Sequence, residues 1–332
     1  MTGNAAFTSS LNEQPLILKT MSLEKTSRIF VAGHRGMVGS AVVRRLEAEG
    51  FRNLLLRTSK ELDLTRQAET EEFFLKEKPE YVFVAAARVG GIMANNTYRA
   101  EFIRTNLHIA ANVIHAAWQA GTKGLLYFSS SCVYPRLAPQ PMKEEYLWTG
   151  PPEPTNEPYA VAKLAGISMC RAYHDQYGVN FMSVLPTNLY GPNDNYDPQQ
   201  SHLMGALIRK FHEAKIQKNP QVTLWGTGTP RREFMFVDDA AEAAVFIAKN
   251  YTGKEPLNIG WGQDLAIREI AMVVKNVIGF DGAVVFDVTK PDGAPRKLMD
   301  IARLQSLGWT AHTTLEQGVA MAYKAYLEKF GK

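Results

Sequence analysis

The stretch "EPTNEPYAVAK" sets Tyr159 and Lys163 four residues apart, just after a proline-broken segment. On a helix those positions share one face, so a hydroxyl and an ammonium would project into the same space. The chemistry open to such a pair is proton donation to a carbonyl oxygen. An unperturbed tyrosine has a pKa of about 10, and bringing it near 7 demands about 4 kcal/mol. An ammonium about 4 Å away supplies about that much at an effective dielectric near 20. An ordinary helix surface pair has the same spacing, so the pair needs context. Upstream, "FSSSCVYP" offers Ser130, whose hydroxyl can hydrogen-bond the same carbonyl and hold it beside Tyr159.

Those residues need elements to position them. Ile29–Ala32 is a short apolar run that leads into "GHRGMVG" and a helical stretch over 40–50. Apolar strands at 53–57, 81–85, 124–128 and 181–185 alternate with helical patterns near 65–77, 106–119 and 159–177. The alternation predicts an α/β fold, a Rossmann-type doubly wound parallel sheet covered on both faces. Past Tyr190 the pattern loosens into "GPNDNYDPQQSH". A cofactor domain is expected over 28–190 with a return segment near 232–253, and 191–332 is expected to be mainly a smaller C-terminal α/β substrate lobe. Residues 1–27 read as a disordered extension. Ligands of open sheets sit outside the carboxyl ends of the strands, where such a lobe can close over them.

Gly33, Gly36 and Gly39 are spaced G-x-x-G-x-x-G between a strand and a helix. Glycines there permit a tight turn and close backbone approach to a pyrophosphate, which the helix amino terminus favours. The loop Gly33, His34, Arg35, Gly36, Met37, Val38 and Gly39 is therefore predicted to hold a dinucleotide, against the alternative of a merely structural turn. The second strand ends Leu56-Arg57-Thr58-Ser59-Lys60 with no carboxylate. Cations at that place suit a 2′-phosphate, so NADP(H) is predicted, with Arg35 and Arg57 as its contacts. Solvated surface cations are the plainer alternative.

Composition limits what else the chain does. A net charge of +4 over 332 residues lacks the broad basic footprint of a nucleic-acid binder. No apolar run reaches 18 residues, so no membrane span is expected. Two cysteines, Cys132 and Cys170, exclude a disulfide framework and suit a reducing compartment, so a cytoplasmic location is expected. No metal site is expected.

A glycine loop, a strand-end serine and a helical Tyr/Lys pair, in that order, resemble the extended short-chain dehydrogenase/reductases. "VGGIMANNTY", "SSSCVYP", "PTNLYGPNDN", "WGTGTPRREFMFVDD" and "KPDGAPRKLMD" narrow the likeness to the GDP-L-fucose synthase family, from about residue 28 to the end. The resemblance implies two reactions in one pocket. GDP-4-keto-6-deoxy-D-mannose is epimerised at C3 and C5 and then reduced by NADPH at C4. It implies Ser130, Tyr159 and Lys163 for the reduction, with Lys163 also holding the cofactor ribose. Cys132 and His202 match the family's proton-transfer pair; read alone, they would be a small buried filler and a loop or helix-cap residue. Cofactor contacts are implied at Phe128, Ser129, Ser130, Ser131, Pro186, Thr187, Asn188, Leu189 and His202. Substrate contacts are implied at Asn188, Lys210, Trp225, Arg232, Asp292 and Lys297, and a homodimer through helices of the cofactor domain. Ser59 stands where relatives often carry arginine, leaving NADP selectivity to Arg35 and Arg57, and Arg88 stands where lysine is common. Two rivals remain: another nucleotide-sugar dehydratase or 4-epimerase, and a non-catalytic NADP-binding sensor or scaffold. A dehydratase would carry threonine followed by an acidic residue where this chain has Ser-Ser-Cys.

Overall fold

The structure is a computed structural model that describes residues 23–198 and 200–331. Most of the expected 1–27 extension lies outside the described residues. Its last part departs from the expectation of disorder: Leu23 is buried in the core, and the Lys25 ammonium lies 4.2 Å from the centre of the Phe51 ring. Burial of an apolar side chain starts the folded chain before Arg28.

Six parallel strands form the main sheet. In chain order they are β1 (Ile29–Ala32), β2 (Leu54–Leu55), β3 (Tyr81–Val84), β4 (Gly124–Phe128), β5 (Asn180–Pro186) and, after a gap, β10 (Leu257–Ile259). Their spatial order is β10-β5-β4-β3-β1-β2. This is the expected Rossmann-type sheet, and its direction of winding reverses between β1 and β3, where ligands of such sheets bind. The outermost strand, β10, lies beyond the 232–253 stretch read as the return segment.

Successive residues of each strand feed opposite cores, which explains why the strands are apolar throughout. Ile29 and Val31 pack with helices α1 (Met37–Ala48) and α7 (Val237–Asn250), while Phe30 and Ala32 pack on the other face with α2 (Gln67–Glu77), α4 (Arg99–Gln119) and α5 (Glu157–Tyr177). A short α3 (Ile92–Thr97) precedes α4. Helix α5 approaches β4 closely because Gly166 faces Tyr127, and any Cβ there would overlap the phenol ring. That approach brings the buried Lys163 to the end of β4.

The rest of the chain builds a second core from α6 (Leu203–Ile216), α8 (Ile267–Ile278) and α10 (Leu315–Phe330) over the parallel pair β7 (Gln221–Trp225) and β12 (Ala283–Asp287). Three ladders of short strands accompany them. β6 (Asn188–Tyr190) pairs with β9 (Phe234–Phe236), and β8 (Arg231–Arg232) lies between β11 (Leu265–Ala266) and β13 (Arg296–Lys297). Helix α9 (Ala302–Ser306) then returns Leu304, Leu307 and Trp309 to the core beneath α7. Among the described residues, no helix is long and apolar enough to cross a membrane.

Candidate active site

Most of the predicted residues follow carboxyl ends of the main strands. The glycine loop follows β1. Gly33 has φ +82°, and a Cβ on it would stand 2.7 Å from the Ala86 nitrogen after β3, so the loop lies at the winding reversal. A Cβ on Gly39 would overlap the Gly33 carbonyl. Helix α1 starts with no side-chain cap and no acidic residue in its first turn. The N–H groups of Met37, Val38 and Gly39 therefore lack intrahelical acceptors. His34 Nδ1 and Ser129 Oγ are buried without a hydrogen-bond partner among the described residues. Orphaned donors, a first helical turn without carboxylates and a side-chain-free surface fit a pyrophosphate.

Sequence alone shows no carboxylate at the end of β2, but tertiary structure brings one there: Glu77 on α2 pairs with Arg57 at 3.1 Å. Arg57 also stacks its guanidinium 5.6 Å from the Phe73 ring centre and donates to Leu56 O. Arg57 is thus a held cation, 35% exposed, while Arg35 in the loop is exposed.

The proton-transfer cluster sits where β4 meets α5. Ser130 caps a 3-10 turn, Ser131–Val133, by accepting from the Cys132 N–H at 3.2 Å. Tyr159 hydrogen-bonds Ser130 and lies close enough to Cys132 for its charge to act on the phenol. Cys132 is half-buried and free. The expected four-residue helix spacing holds, but the expected charge relation does not. Lys163 Nζ donates to the Phe128 carbonyl at 2.7 Å and lies 6.0 Å from the Tyr159 ring centre. Burial raises the Tyr159 pKa instead of lowering it, and pushes Lys163 down to about 7. Desolvation disfavours the charged form of each.

His202 forms the N-cap of α6 with an exposed surface, and protein crowding lowers its pKa. The loop before it meets the turn after β3, where the Gly91 N–H donates to Gln200 O at 3.0 Å. Two asparagines shape that turn: Asn106 holds both the N–H and carbonyl of Arg88, and Asn95 holds Gly90 O. Pro186, Thr187, Asn188 and Leu189 run from β5 into β6. There Thr187 N–H donates to Ile259 O and Asn188 Nδ2 to Glu233 O.

The remaining residues gather around β8 and β13. Arg232 and Lys297 are register partners, as are Arg231 and Arg296. Asp264, almost wholly buried, pairs with both Arg231 and Arg296. Like charges opposite each other repel, and Asp264 relieves one such pair while strand alternation turns Arg232 and Lys297 to the other face. Arg232 is partly desolvated, which lowers its pKa, and it donates to Arg231 O and Ala294 O. Both Asp292 oxygens bind Thr227, closing the loop after β7, and its charge acts on Arg232. Trp225 is 68% exposed with Lys290 near its ring face. Lys210 lies on α6, its pKa lowered by burial and by Arg209. Sequence reading missed Glu233 and Asp264. Glu233 carries a visible signal, an acid between two arginines and an apolar strand, whereas Asp264 meets its arginines 32 and 33 residues away.

The NAD dependent epimerase/dehydratase family matches residues 29–260. The chain is 57% identical over 305 residues to GDP-L-fucose synthase 1 of Arabidopsis thaliana, covering 92% of this chain and 94% of that protein. It is 51% identical over 310 residues to the GDP-L-fucose synthase of Escherichia coli, covering 91% and 97%. The chain belongs to this family, among the GDP-L-fucose synthases. The solved GDP-L-fucose synthetase from Naegleria fowleri bound to NADP has a TM-score of 0.89 at 29% identity, covering 97% of this chain and 99% of that one. MlghC, a GDP-mannoheptose C4 reductase from Campylobacter jejuni with NADP bound, has a TM-score of 0.84 at 40% identity, covering 92% and 99%. The family found is the one its motifs resemble, and its GDP-sugar reductases share the whole architecture described above.

Proposed function

We propose that the chain converts GDP-4-keto-6-deoxy-D-mannose to GDP-L-fucose, by epimerisation at C3 and C5 and then reduction at C4 with NADPH. The observation that carries this reading is the clustering of Ser130, Cys132 and Tyr159 at the end of β4. A reductase needs a serine and a tyrosine on the carbonyl oxygen; a thiol beside them adds a proton-transfer group for the neighbouring carbons.

Protons alpha to a ketone are acidic because the carbanion becomes an enolate. Cys132 and His202 exchange the C3 and C5 protons, one as base and the other as acid. Ser130 and Tyr159 hold the C4 oxygen, where enolate charge develops, so the same donors serve both steps. In the reduction Tyr159 gives its proton to that oxygen as C4 gains a hydride, leaving a C4 hydroxyl. NADPH, when bound, supplies the hydride. Lys163 orients the site through the Phe128 carbonyl and, with a pKa of about 7, can return a proton to Tyr159. The glycine loop from Gly33 to Gly39 holds the pyrophosphate, Arg35 and Arg57 the 2′-phosphate, and residues 128–131 and 186–189 the nicotinamide end. Arg232, Lys297 and Lys210 pair with the substrate diphosphate, Trp225 stacks on guanine, and Asn188 faces the sugar.

The same reading divides the chain into a cofactor domain and a substrate lobe and makes it a cytoplasmic homodimer. Turnover of GDP-4-keto-6-deoxymannose with NADPH and with NADH, side by side, tests substrate and cofactor together. Stoichiometric NADPH consumption with GDP-L-fucose formed is expected, and activity on GDP-mannose without net cofactor use would replace this reading with a dehydratase.

A further inference from the structure

Among the described residues Glu233 pairs with no cation and bonds none of the proton-transfer cluster, and its burial is complete. Its Oε1 accepts from Gly262 N–H at 2.7 Å and its Oε2 from Met299 N–H at 2.9 Å, with Trp261 N–H as a further donor. Its own carbonyl accepts from Asn188 Nδ2 at 2.8 Å and Thr187 Oγ1 at 3.4 Å, and its N–H donates to Lys297 O at 3.3 Å. One residue thus joins the end of β5, the turn after β10, the strand of Lys297 and the strand of Arg232. A Cβ on Gly260 would overlap the carboxylate, so that turn is bare where Glu233 reaches it. An apolar side chain of similar size would fill the space without the cost of burying a carboxylate, but it would leave the backbone donors unpaired.

We propose that Glu233 is a positioning residue for the nucleotide end of the substrate, fixing Arg232 and Lys297 at one spacing from the Asn188 strand end. The inference rests on the substrate reading given above. Tyr159, Ser130 and Lys163 lie on β4 and α5, which Glu233 does not bond, so loosening it weakens nucleotide binding and spares the chemical step.

The full-length protein and its Glu233→Gln, Gly260→Ala and double variants separate these roles, with GDP affinity read by calorimetry and KM and kcat by steady-state reduction. Glu233→Gln turns an amide toward a backbone donor, so GDP affinity should fall and KM rise by roughly tenfold, with kcat within about twofold. Gly260→Ala should do the same by displacing the carboxylate, and the double variant should be no worse than the stronger single one. It also carries the test if Glu233→Gln fails to fold. A residue that only stabilises the fold would lower the melting temperature and the active fraction, and with it kcat, at constant KM. Unchanged KM and GDP affinity, or fully additive effects in the double variant, would overturn the proposal. If the parent binds GDP without turning over the keto sugar, the substrate reading falls alone and GDP affinity still judges Glu233. A parent that does not bind GDP overturns both.

Discussion

The proton-transfer cluster and the cationic strands around β8 solve different problems with opposite means. Ser130, Cys132, Tyr159 and Lys163 lie within 34 positions of one another, on a strand end and one helix, and burial suppresses charge on Tyr159 and Lys163. Arg231, Arg232, Arg296 and Lys297 come from two strands about 65 residues apart, and their environment sorts charge, with Asp264 neutralising one cross-strand pair. Chemistry is placed by rigid local elements, whereas the grip on an anion depends on distant segments meeting.

The largest expected effect is on the first region. Tyr159→Phe removes one hydroxyl from a half-buried ring, so the fold should persist while reductive turnover falls about 10³-fold, in the range for a lost general acid. Turnover at the parent rate would remove Tyr159 from the mechanism. Arg232→Met should cost kcat/KM for the keto sugar about 10²-fold, mainly through KM. Should kcat fall with KM constant, the contrast between chemistry and grip would blur.

Charge suppression at Lys163 can be read from stability. Its pKa is about 7 folded against 10.5 for the free side chain. Between those values the unfolded chain binds a proton that the folded chain releases, so this group's contribution to stability rises with pH across that window and is flat below about 7. Urea unfolding at pH 7 and 9.5 should show the parent gaining about 3 kcal/mol relative to Lys163→Met. Equal gains in both proteins would mean Lys163 is not desolvated. Asp264→Asn tests the sorted charges. Its oxygens are nearly buried, but both arginines are over 40% exposed, so the loss in stability should be about 1–2 kcal/mol and should shrink in high salt far less than it would for a surface pair. The smallest effect is expected at Arg57→Met, which should raise KM for NADPH about fivefold and leave NADH unaffected, because Glu77 already occupies part of that guanidinium. An equal change with both cofactors would take Arg57 away from the 2′-phosphate.

Much of the fold was legible because the strands are buried on both faces and read as unbroken apolar runs: β4 falls where its residues predict it, at Gly124–Phe128. Two helix starts were read late. Helix α1 begins at Met37 inside the glycine loop, and α4 at Arg99, seven residues before its predicted start, because neither carries a side-chain cap to mark it. Strand β2 shrank to two residues, since pairing on one side alone sustains less of the ladder.

By itself the sequence determined the alternating fold, the glycine loop, the helix face shared by Tyr159 and Lys163, and the family, because these depend on spacings within one strand or a few helical turns. The tertiary structure decided how those groups are charged and which cations remain available. Desolvation at Tyr159 and Lys163, Glu77 on Arg57, Asp264 between two arginines and Glu233 across four segments each arise where distant stretches pack together. Electrostatic energy there follows distance and burial, which spacing along the chain does not encode.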